Sequence, residues 1–288
     1  MEPRVLYRNF DRAALDIQYD NRRRVPEHPQ HSERWAKECA RVVRELKPRL
    51  DMAYGPTPAE KVDVYPGAPG GPVLVYIHGG YWMSRDKADF GFIAEPFVKA
   101  GVSVVVVNYV LAPNAGLDEI VRQNRAAAAW AWRNASTFGA NPNHLYVAGH
   151  SAGGHLTLML LQTDWRAFAP DLPANLVQGG CAISGIYDLE PVRLCYLNDT
   201  LHMDEAVSRR NSPLFLPVRH AADLILAVGG NESEEFIRQN REMAVAWRKL
   251  GCAVQELEMA GRDHFTIIGQ FLEPGNALTA AMLKQMRA

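Results

Sequence analysis

Apolar residues along the chain occur either in short continuous runs or at every third or fourth position of longer segments. The continuous runs at 72–78 (PVLVYIH) and 101–109 (GVSVVVVNY) predict strands that are buried on both faces. The alternating run at 61–66 (KVDVYP) predicts an exposed or edge strand. Further strands are predicted in the runs HLYVAGH, NLVQGGCAIS, DLILAVGG and CAVQELEM.

The segments between these strands have helical periodicity, in which the apolar positions form one face. They cover residues 86–99, 117–136, 152–163, 234–250 and 276–286. Because strands and helices alternate, the pattern predicts an α/β fold with a mostly parallel central sheet and helices on both faces. No linker divides the sheet, so residues 1–288 are predicted to form a single domain.

The first sixty residues are charged and helical in character, and the strand pattern begins only at Lys61. A stripe at helical spacing predicts one buried helix face, formed by Trp35, Cys39, Val42, Val43 and Leu46. This helix either packs at the domain edge or belongs to a cap over the site. We therefore divide the domain into an N-terminal helical segment (1–60), the candidate small helical cap, and a catalytic core (61–288). Residues 186–216 are a second candidate for the cap.

Charge and composition exclude several classes of function. The 31 Lys and Arg residues nearly balance the 32 Asp and Glu residues, so no basic field for nucleic acid is expected. The longest apolar runs fall short of the roughly 20 residues that span a bilayer, and the first residues lack the apolar core of a secretory signal. The protein is therefore expected to act on a small molecule, without a nucleic-acid or membrane partner.

The cysteines are scattered and have no CxxC spacing, which indicates reduced thiols rather than a disulfide frame or a zinc site. They are Cys39, Cys181, Cys195 and Cys252. A cytoplasmic location follows as the expectation, with no metal bound. The sequence does not determine the assembly, for which a homodimer is the candidate.

The segment Gly149-His150-Ser151-Ala152-Gly153 fits the pattern G-x-S-x-G of a nucleophile elbow. A predicted strand precedes it and an apolar helix follows it, as a sharp strand-to-helix turn requires. Gly149 and Gly153 leave space where side chains would collide with the neighbouring strand and helix. Ser151 is therefore predicted to be a nucleophile, and the alternative is that it only caps the following helix.

A second glycine-containing loop, VYIHGGYW, follows the predicted strand at 72–78. An enzyme that attacks a carbonyl group must stabilise the developing oxyanion with backbone N–H groups at about 2.7–3.1 Å. The predicted oxyanion hole consists of Gly79, Gly80, Tyr81 and Ala152, with Gly79 allowing the bend. His78 is expected to hold this loop by hydrogen bonds. Tyr81 and Trp82 either form a wall of the substrate pocket or pack in the core.

Three of the nine histidines follow Ser151 with room for an acid between them: His202, His220 and His264. His264 lies just beyond the last predicted strand, where a general base could reach Ser151. Glu232 is the first carboxylate after the predicted strand DLILAVGG, and it is the predicted acid that orients the base. Asp188, which follows another predicted strand, is its main competitor.

The motifs HGGYW, GHSAGGHL, VGGNESEEFIRQ and GRDHF, in this order, resemble those of the α/β-hydrolase superfamily. Within it, the chain is most similar to the kynurenine formamidase (arylformamidase) and related carboxylesterase group, over nearly its whole length. The resemblance implies the α/β-hydrolase fold, a triad of Ser151, Glu232 and His264, and no cofactor. Glutamate as the triad acid departs from the commoner aspartate.

The expected function is hydrolysis of small carboxylic esters or of N-acyl or N-formyl arylamides through an acyl-enzyme on Ser151. Esterases and formamidases differ in leaving group rather than in catalytic groups, so the motifs do not separate them. We favour a formamidase-like activity with additional ester cleavage. The alternatives are a general carboxylesterase with no formamidase role and a catalytically silent binding protein on a hydrolase fold.

Overall fold

A computed structural model describes residues 4–286, and eight strands form one sheet within this range. The strands are β1 (Arg49–Ala53), β2 (Lys61–Tyr65), β3 (Val73–Ile77), β4 (Ser103–Val107), β5 (Leu145–His150), β6 (Gly179–Ile183), β7 (Asp223–Gly229) and β8 (Val254–Met259). Their spatial order is β1-β2-β4-β3-β5-β6-β7-β8. The pairs β1–β2 and β2–β4 are antiparallel, whereas all the others are parallel. This is the predicted α/β-hydrolase fold.

Thirteen α-helices surround the sheet in the described part of the chain. They are α1 (Arg12–Tyr19), α2 (Asn21–Arg24), α3 (His28–Leu46), α4 (Ala94–Lys99), α5 (Leu117–Asn134), α6 (Ala152–Leu161), α7 (Trp165–Phe168), α8 (Glu190–Leu194), α9 (Asn198–Leu201), α10 (Glu205–Arg210), α11 (Glu234–Lys249), α12 (Thr266–Gly269) and α13 (Ala277–Met286). None of them combines the length and the apolar character that crossing a membrane requires.

The central strands contribute to two apolar layers, one on each face of the sheet. In β3, Val73, Val75 and Ile77 pack in one layer, while Leu74 and Tyr76 pack in the other. Every residue of β3, β4, β5 and β6 is buried, which explains why these strands appear as continuous apolar runs in the sequence. The parallel strands bring the loops after β3, β5, β7 and β8 to the same edge of the sheet.

The structure corrects two of the predictions and adds one strand. Strand β1 was not predicted, and it lies outside β2, so β2 is not an edge strand and is largely buried. The helix predicted at 86–99 is instead two 3₁₀ turns, Lys87–Asp89 and Gly91–Ile93, followed by the short α4.

The N-terminal helices lie against the rest of the chain at different places. Helix α1 contacts α8 and α11, while α3 contacts the two 3₁₀ turns and α4. Trp35, Cys39 and Val42 are the buried residues of α3, in agreement with the predicted stripe. Residues 186–216 form α8, α9 and α10 with their connecting loops. Both segments therefore pack beside the loops that follow β3, β5 and β7.

Candidate active site

Ser151 occupies a strained turn between β5 and α6. Its φ of 58° and ψ of −119° lie in a region that residues other than glycine rarely adopt. The side chain makes no hydrogen bond that caps α6, which argues against the helix-cap alternative. A Cβ atom on Gly153 would lie 2.0 Å from the carbonyl oxygen of Ile77, and one on Gly149 would lie 2.3 Å from the carbonyl oxygen of Gly153. Both positions therefore require glycine.

His264 and Glu232 form a buried pair. The Nδ1 atom of His264 lies 2.7 Å from Oε2 of Glu232, and the two side chains are 6% and 0% exposed. The other carboxylate oxygen, Oε1, accepts hydrogen bonds from the amide of Gly229 at 2.7 Å and from the hydroxyl of Ser184 at 2.5 Å. Because Nδ1 faces the carboxylate, the imidazole has its Nε2 atom left for proton transfer.

Asp188 has other partners. Its Oδ2 atom accepts a hydrogen bond from the hydroxyl of Tyr7 at 2.7 Å, and its Oδ1 atom accepts one from the amide of Glu190 at 3.0 Å. Asp263, the neighbour of His264, accepts from the amides of Phe265 and Thr266. Of these carboxylates, the structure brings Glu232 to His264.

The remaining histidines that follow Ser151 lie elsewhere. His202 is exposed at the end of α9, and Nε2 of His220 lies 2.8 Å from the carbonyl oxygen of Val177. Before Ser151, His78 has Nδ1 at 2.8 Å from the carbonyl oxygen of Gly79 and Nε2 at 3.2 Å from Oδ1 of Asn108. Burial lowers the pKa of His78. Its contacts thus hold the loop after β3.

A cavity of about 280 Å³ opens beside Ser151 and His264. The loop after β3 and aromatic side chains form much of its wall. The lining residues are Asp20, Asn21, Arg22, Trp35, Gly79, Gly80, Tyr81, Met83, Ser84, Arg85, Phe90, His150, Ser151, Tyr196, Leu197, His264 and Phe265. Both candidate cap segments thus reach the cavity, the N-terminal one and the one at 186–216.

The loop after β3 is folded so that its amides remain available. Gly80 and Tyr81 have φ values of 106° and 51°. The carbonyl oxygen of Gly80 accepts from the amides of Met83 and Ser84, whereas no acceptor within residues 4–286 bonds the amides of Gly80 and Tyr81. A Cβ atom on Gly79 would lie 3.0 Å from Cβ of Ser151, so this loop packs directly on the elbow.

Ala152 adds a further amide at the start of α6. The first amides of a helix have no partner within the helix, and the positive end of the helix dipole is located there. The amide of Ala152 therefore lies next to Ser151. It is free to donate a hydrogen bond to a negative charge beside the serine. This is the arrangement that an oxyanion hole needs.

The two aromatic residues of the HGGYW motif differ in position. Tyr81 lines the cavity, and its hydroxyl donates to the carbonyl oxygen of Tyr19 at 2.6 Å. Trp82 is fully buried, makes an edge contact with the ring of His155 and is absent from the cavity wall. Of the two interpretations given for Trp82, pocket wall and core packing, the structure therefore favours core packing, and the assignment of Trp82 to substrate binding is corrected.

Among the residues of the site that were missed from the sequence are Ser184, His150 and Arg85. Ser184 holds the carboxylate of Glu232 from the end of β6, where its φ is 50°. The ring of His150 lies 4.5 Å from that of His264, and burial lowers its pKa well below the usual range. Arg85 follows the loop after β3 and lines the cavity. A polar residue directly after a strand end was the available signal for Ser184.

The described residues contain no cluster of three His, Cys, Asp or Glu side chains that could hold a metal ion. The chemistry that these groups support is attack of a hydroxyl on a carbonyl carbon, with an imidazole–carboxylate pair to move the proton. The sheet and the serine at its strained turn define the α/β-hydrolase class.

Comparisons with known proteins agree with this class and narrow it. Residues 63–191 match the BD-FAE family. Kynurenine formamidase of Danio rerio is 38% identical over 245 residues, which cover 82% of this chain and 81% of that protein. The enzyme of the same name from Salmo salar is 36% identical over 246 residues, with the same coverage of both chains. A crystal structure from Silicibacter sp. TM1040, provisionally assigned as a thioesterase, has a TM-score of 0.83 at 27% identity, covering 92% of this chain and 97% of that one.

The chain therefore belongs to the kynurenine formamidase family. It is a serine hydrolase that acts on ester or formamide bonds of small molecules, and the silent binding protein is not favoured.

Proposed function

We propose that the protein is an arylformamidase that also cleaves small aryl esters, with Ser151 as nucleophile, His264 as general base and Glu232 as the acid that orients it. The main support for this proposal is the hydrogen bond between Glu232 and His264. It lies next to a cavity that Ser151 and His264 both line. The relatives named kynurenine formamidase support the choice of a formamide over an ester as the main substrate.

In the first half of the proposed reaction, Oγ of Ser151 attacks the formyl carbon while Nε2 of His264 takes the hydroxyl proton. The negative charge that develops on the carbonyl oxygen is stabilised by the amides of Gly80, Tyr81 and Ala152. His264 then gives its proton to the nitrogen of the arylamine as the C–N bond breaks. The amine leaves, and a formyl ester remains on Ser151.

In the second half, water attacks the formyl ester while His264 takes its proton. The serine hydroxyl is restored when His264 returns the proton to Oγ of Ser151, and formate leaves. Glu232, which lies against Nδ1 of His264, orients the imidazole and favours the cationic form that arises in both halves. An aryl ester follows the same path with a phenol in place of the amine.

We further propose that residues 1–60 act as a cap on a single domain of residues 1–288. Asp20, Asn21 and Arg22 in the cavity wall support this role, as does the hydrogen bond from Tyr81 to the carbonyl oxygen of Tyr19. A cytoplasmic location is part of the proposal, supported by four cysteines that are all buried and unpaired. A homodimer is proposed as the assembly, to be checked by sedimentation.

The test measures kcat/KM for N-formylkynurenine, p-nitrophenyl acetate and p-nitrophenyl butyrate on the wild type, S151A and S136A. Ser136 is exposed and outside the cavity, so S136A is the matched control. S151A should lose about 10³-fold or more in kcat/KM on all three substrates and should no longer react with a fluorophosphonate reagent. Turnover of the esters without any turnover of the formamide would favour the general carboxylesterase instead.

A further inference from the structure

The guanidinium of Arg85 stands in the cavity wall without a close carboxylate partner. Its Nη2 atom donates to the hydroxyl of Ser32 at 2.8 Å. Within residues 4–286, the one carboxylate oxygen within 4.0 Å is Oδ2 of Asp89, which lies 3.9 Å from Nη1, beyond hydrogen-bond distance. Since a guanidinium carries five N–H donors in a planar fork, most of its donors remain available to a ligand.

The charge of Arg85 is also partly removed from water. Its side chain is 24% exposed, whereas that of Asp89 is 40% exposed and therefore better solvated. Burial lowers the pKa of Arg85, the charge of Asp89 opposes this shift, and the nearby charge of Arg22 adds to it. Because arginine keeps its proton in proteins, the desolvated cation favours an anion beside it.

The other charged groups of the cavity do not supply that anion. The wall contains two arginines, Arg22 and Arg85, and one carboxylate, Asp20. Oδ1 of Asp20 accepts a hydrogen bond from the amide of Arg23 at the start of α2. Burial, together with the charges of Arg22 and Arg85, lowers the pKa of His28, which faces the same arginines. The cavity therefore has an excess of positive charge.

Much of the remaining wall is aromatic and includes Trp35, Phe90 and Phe265. Such walls favour a flat ring, and a volume of about 280 Å³ suits a substrate with one ring. We infer that Arg85 is a specificity-determining residue that binds a carboxylate on the aryl leaving group, so that the preferred substrates are anionic arylformamides and aryl esters. This inference rests on the proposed function for the position of the scissile bond.

The experiment compares substrates that differ only in charge. One pair is 2-formamidobenzoate and 2-formamidobenzamide, and the other is 4-acetoxybenzoate and 4-acetoxybenzamide. The quantity measured is the ratio of kcat/KM for the anion to kcat/KM for the neutral amide. In the wild type this ratio should exceed one for both pairs, because an arginine–carboxylate hydrogen bond is charge-assisted.

Two substitutions remove the guanidinium. R85Q keeps a polar side chain, while R85G also removes backbone strain, because the φ of Arg85 is 81° and glycine adopts this value freely. Each should lower the ratio by about 10- to 100-fold, because kcat/KM falls further for the anions than for the neutral amides. R166Q is the control, because Arg166 is exposed and outside the cavity. It should leave the ratio as in the wild type.

A binding measurement keeps the test independent of how the variants fold. The wild type should be inhibited more strongly by 2-aminobenzoate than by 2-aminobenzamide, and this preference should weaken as the ionic strength rises. Equal or weaker inhibition by the anion would overturn the inference, as would a ratio that R85Q and R85G leave unchanged. If the ratio exceeds one for the ester pair and falls in the Arg85 variants, but neither formamide is hydrolysed, the proposed formamidase function fails while the role of Arg85 stands.

Discussion

Nδ1 of His264 lies 2.7 Å from Oε2 of Glu232, although 32 positions separate the two residues in the chain. They are neighbours because Glu232 follows β7 and His264 follows β8, and these two strands pair in parallel. The amide of Gly229 and the hydroxyl of Ser184 fix the second carboxylate oxygen. Groups at the ends of two adjacent strands, β6 and β7, therefore hold the carboxylate in the position in which it contacts the imidazole.

Replacing Glu232 by glutamine should remove the charge that supports the cationic imidazole and put an amide against Nδ1. We expect E232Q to lower kcat by about 10³- to 10⁴-fold on both formamide and ester substrates, with a much smaller effect on KM. Steady-state kinetics on N-formylkynurenine and p-nitrophenyl acetate measure this effect.

The matched control is D188N, since Asp188 is equally buried but accepts its hydrogen bond from Tyr7. This variant should change kcat by less than about tenfold, because it affects packing rather than the reacting groups. A larger loss in D188N than in E232Q would transfer the role of the acid to Asp188.

The hydroxyl of Tyr81 joins the loop after β3 to the N-terminal segment. It donates to the carbonyl oxygen of Tyr19 and accepts from Nδ2 of Asn21 at 3.0 Å. Y81F leaves both groups without this partner, which costs about 1–3 kcal/mol where such groups are buried. We expect faster amide hydrogen exchange in residues 12–24 and a higher KM.

Y54F is the control for this substitution, because the hydroxyl of Tyr54 donates to the carbonyl oxygen of Asn108 at the same distance of 2.6 Å. It should lower the free energy of unfolding to a similar extent but leave exchange in residues 12–24 at the wild-type rate. If Y54F and Y81F raised exchange there equally, Tyr81 would have no special role in holding the segment.

A methyl group at Gly153 should disrupt the elbow, because its Cβ would approach the carbonyl oxygens of Ile77 and His78 to 2.0 Å and 2.9 Å. Both contacts are to backbone, which cannot move aside as a flexible side chain can. G153A should therefore lose about 3 kcal/mol or more of unfolding free energy, together with activity. In G269A nothing lies within 4 Å of the new Cβ, so stability should be unchanged or slightly higher. Equal denaturation midpoints for the two variants would contradict this account.

The sequence predicted most of the sheet because its central strands are buried on both faces and are therefore continuously apolar. β1 could not be found in this way, since it is short and all five of its residues are exposed, including the alternating Leu50 and Met52. The segment at 86–99 was predicted as one helix because its apolar residues recur at suitable spacing. Asp86 and Asp89 instead form a capping box at the start of a short 3₁₀ turn, and the backbone leaves helical geometry at Phe90, where φ is −126°.

The elbow and the histidine were predictable because each has a fixed place relative to a strand end. Ser184, His150 and Arg85 were not, because their roles depend on contacts across the fold. Ser184 and Glu232 are 48 positions apart, and Arg85 and Ser32 are 53 apart. For Trp82 the sequence left two interpretations open, and only the packing against His155 decided between them.

Acid should destabilise the fold through His155, which lies within α6 and is fully buried. Burial lowers its pKa from 6.5 to about 4, although Nε2 lies 2.7 Å from the carbonyl oxygen of Asn211. Above pH 6.5 the ring is neutral in both the folded and the unfolded chain, so stability is unaffected. Between pH 6.5 and 4 the unfolded chain binds a proton that the folded chain does not. The free energy of unfolding should then fall by about 3 kcal/mol through this group alone.

Urea denaturation of the wild type, H155Q and H144Q at several pH values between 4 and 7 measures this contribution. H155Q removes the titrating ring, so its free energy of unfolding should fall less steeply than that of the wild type as the pH is lowered. The two slopes should differ by at most the contribution of one bound proton. H144Q removes a histidine from an exposed position and serves as the control. Parallel curves for the wild type and H155Q would mean that His155 takes up its proton in the folded state, and the burial argument for this ring would then be wrong.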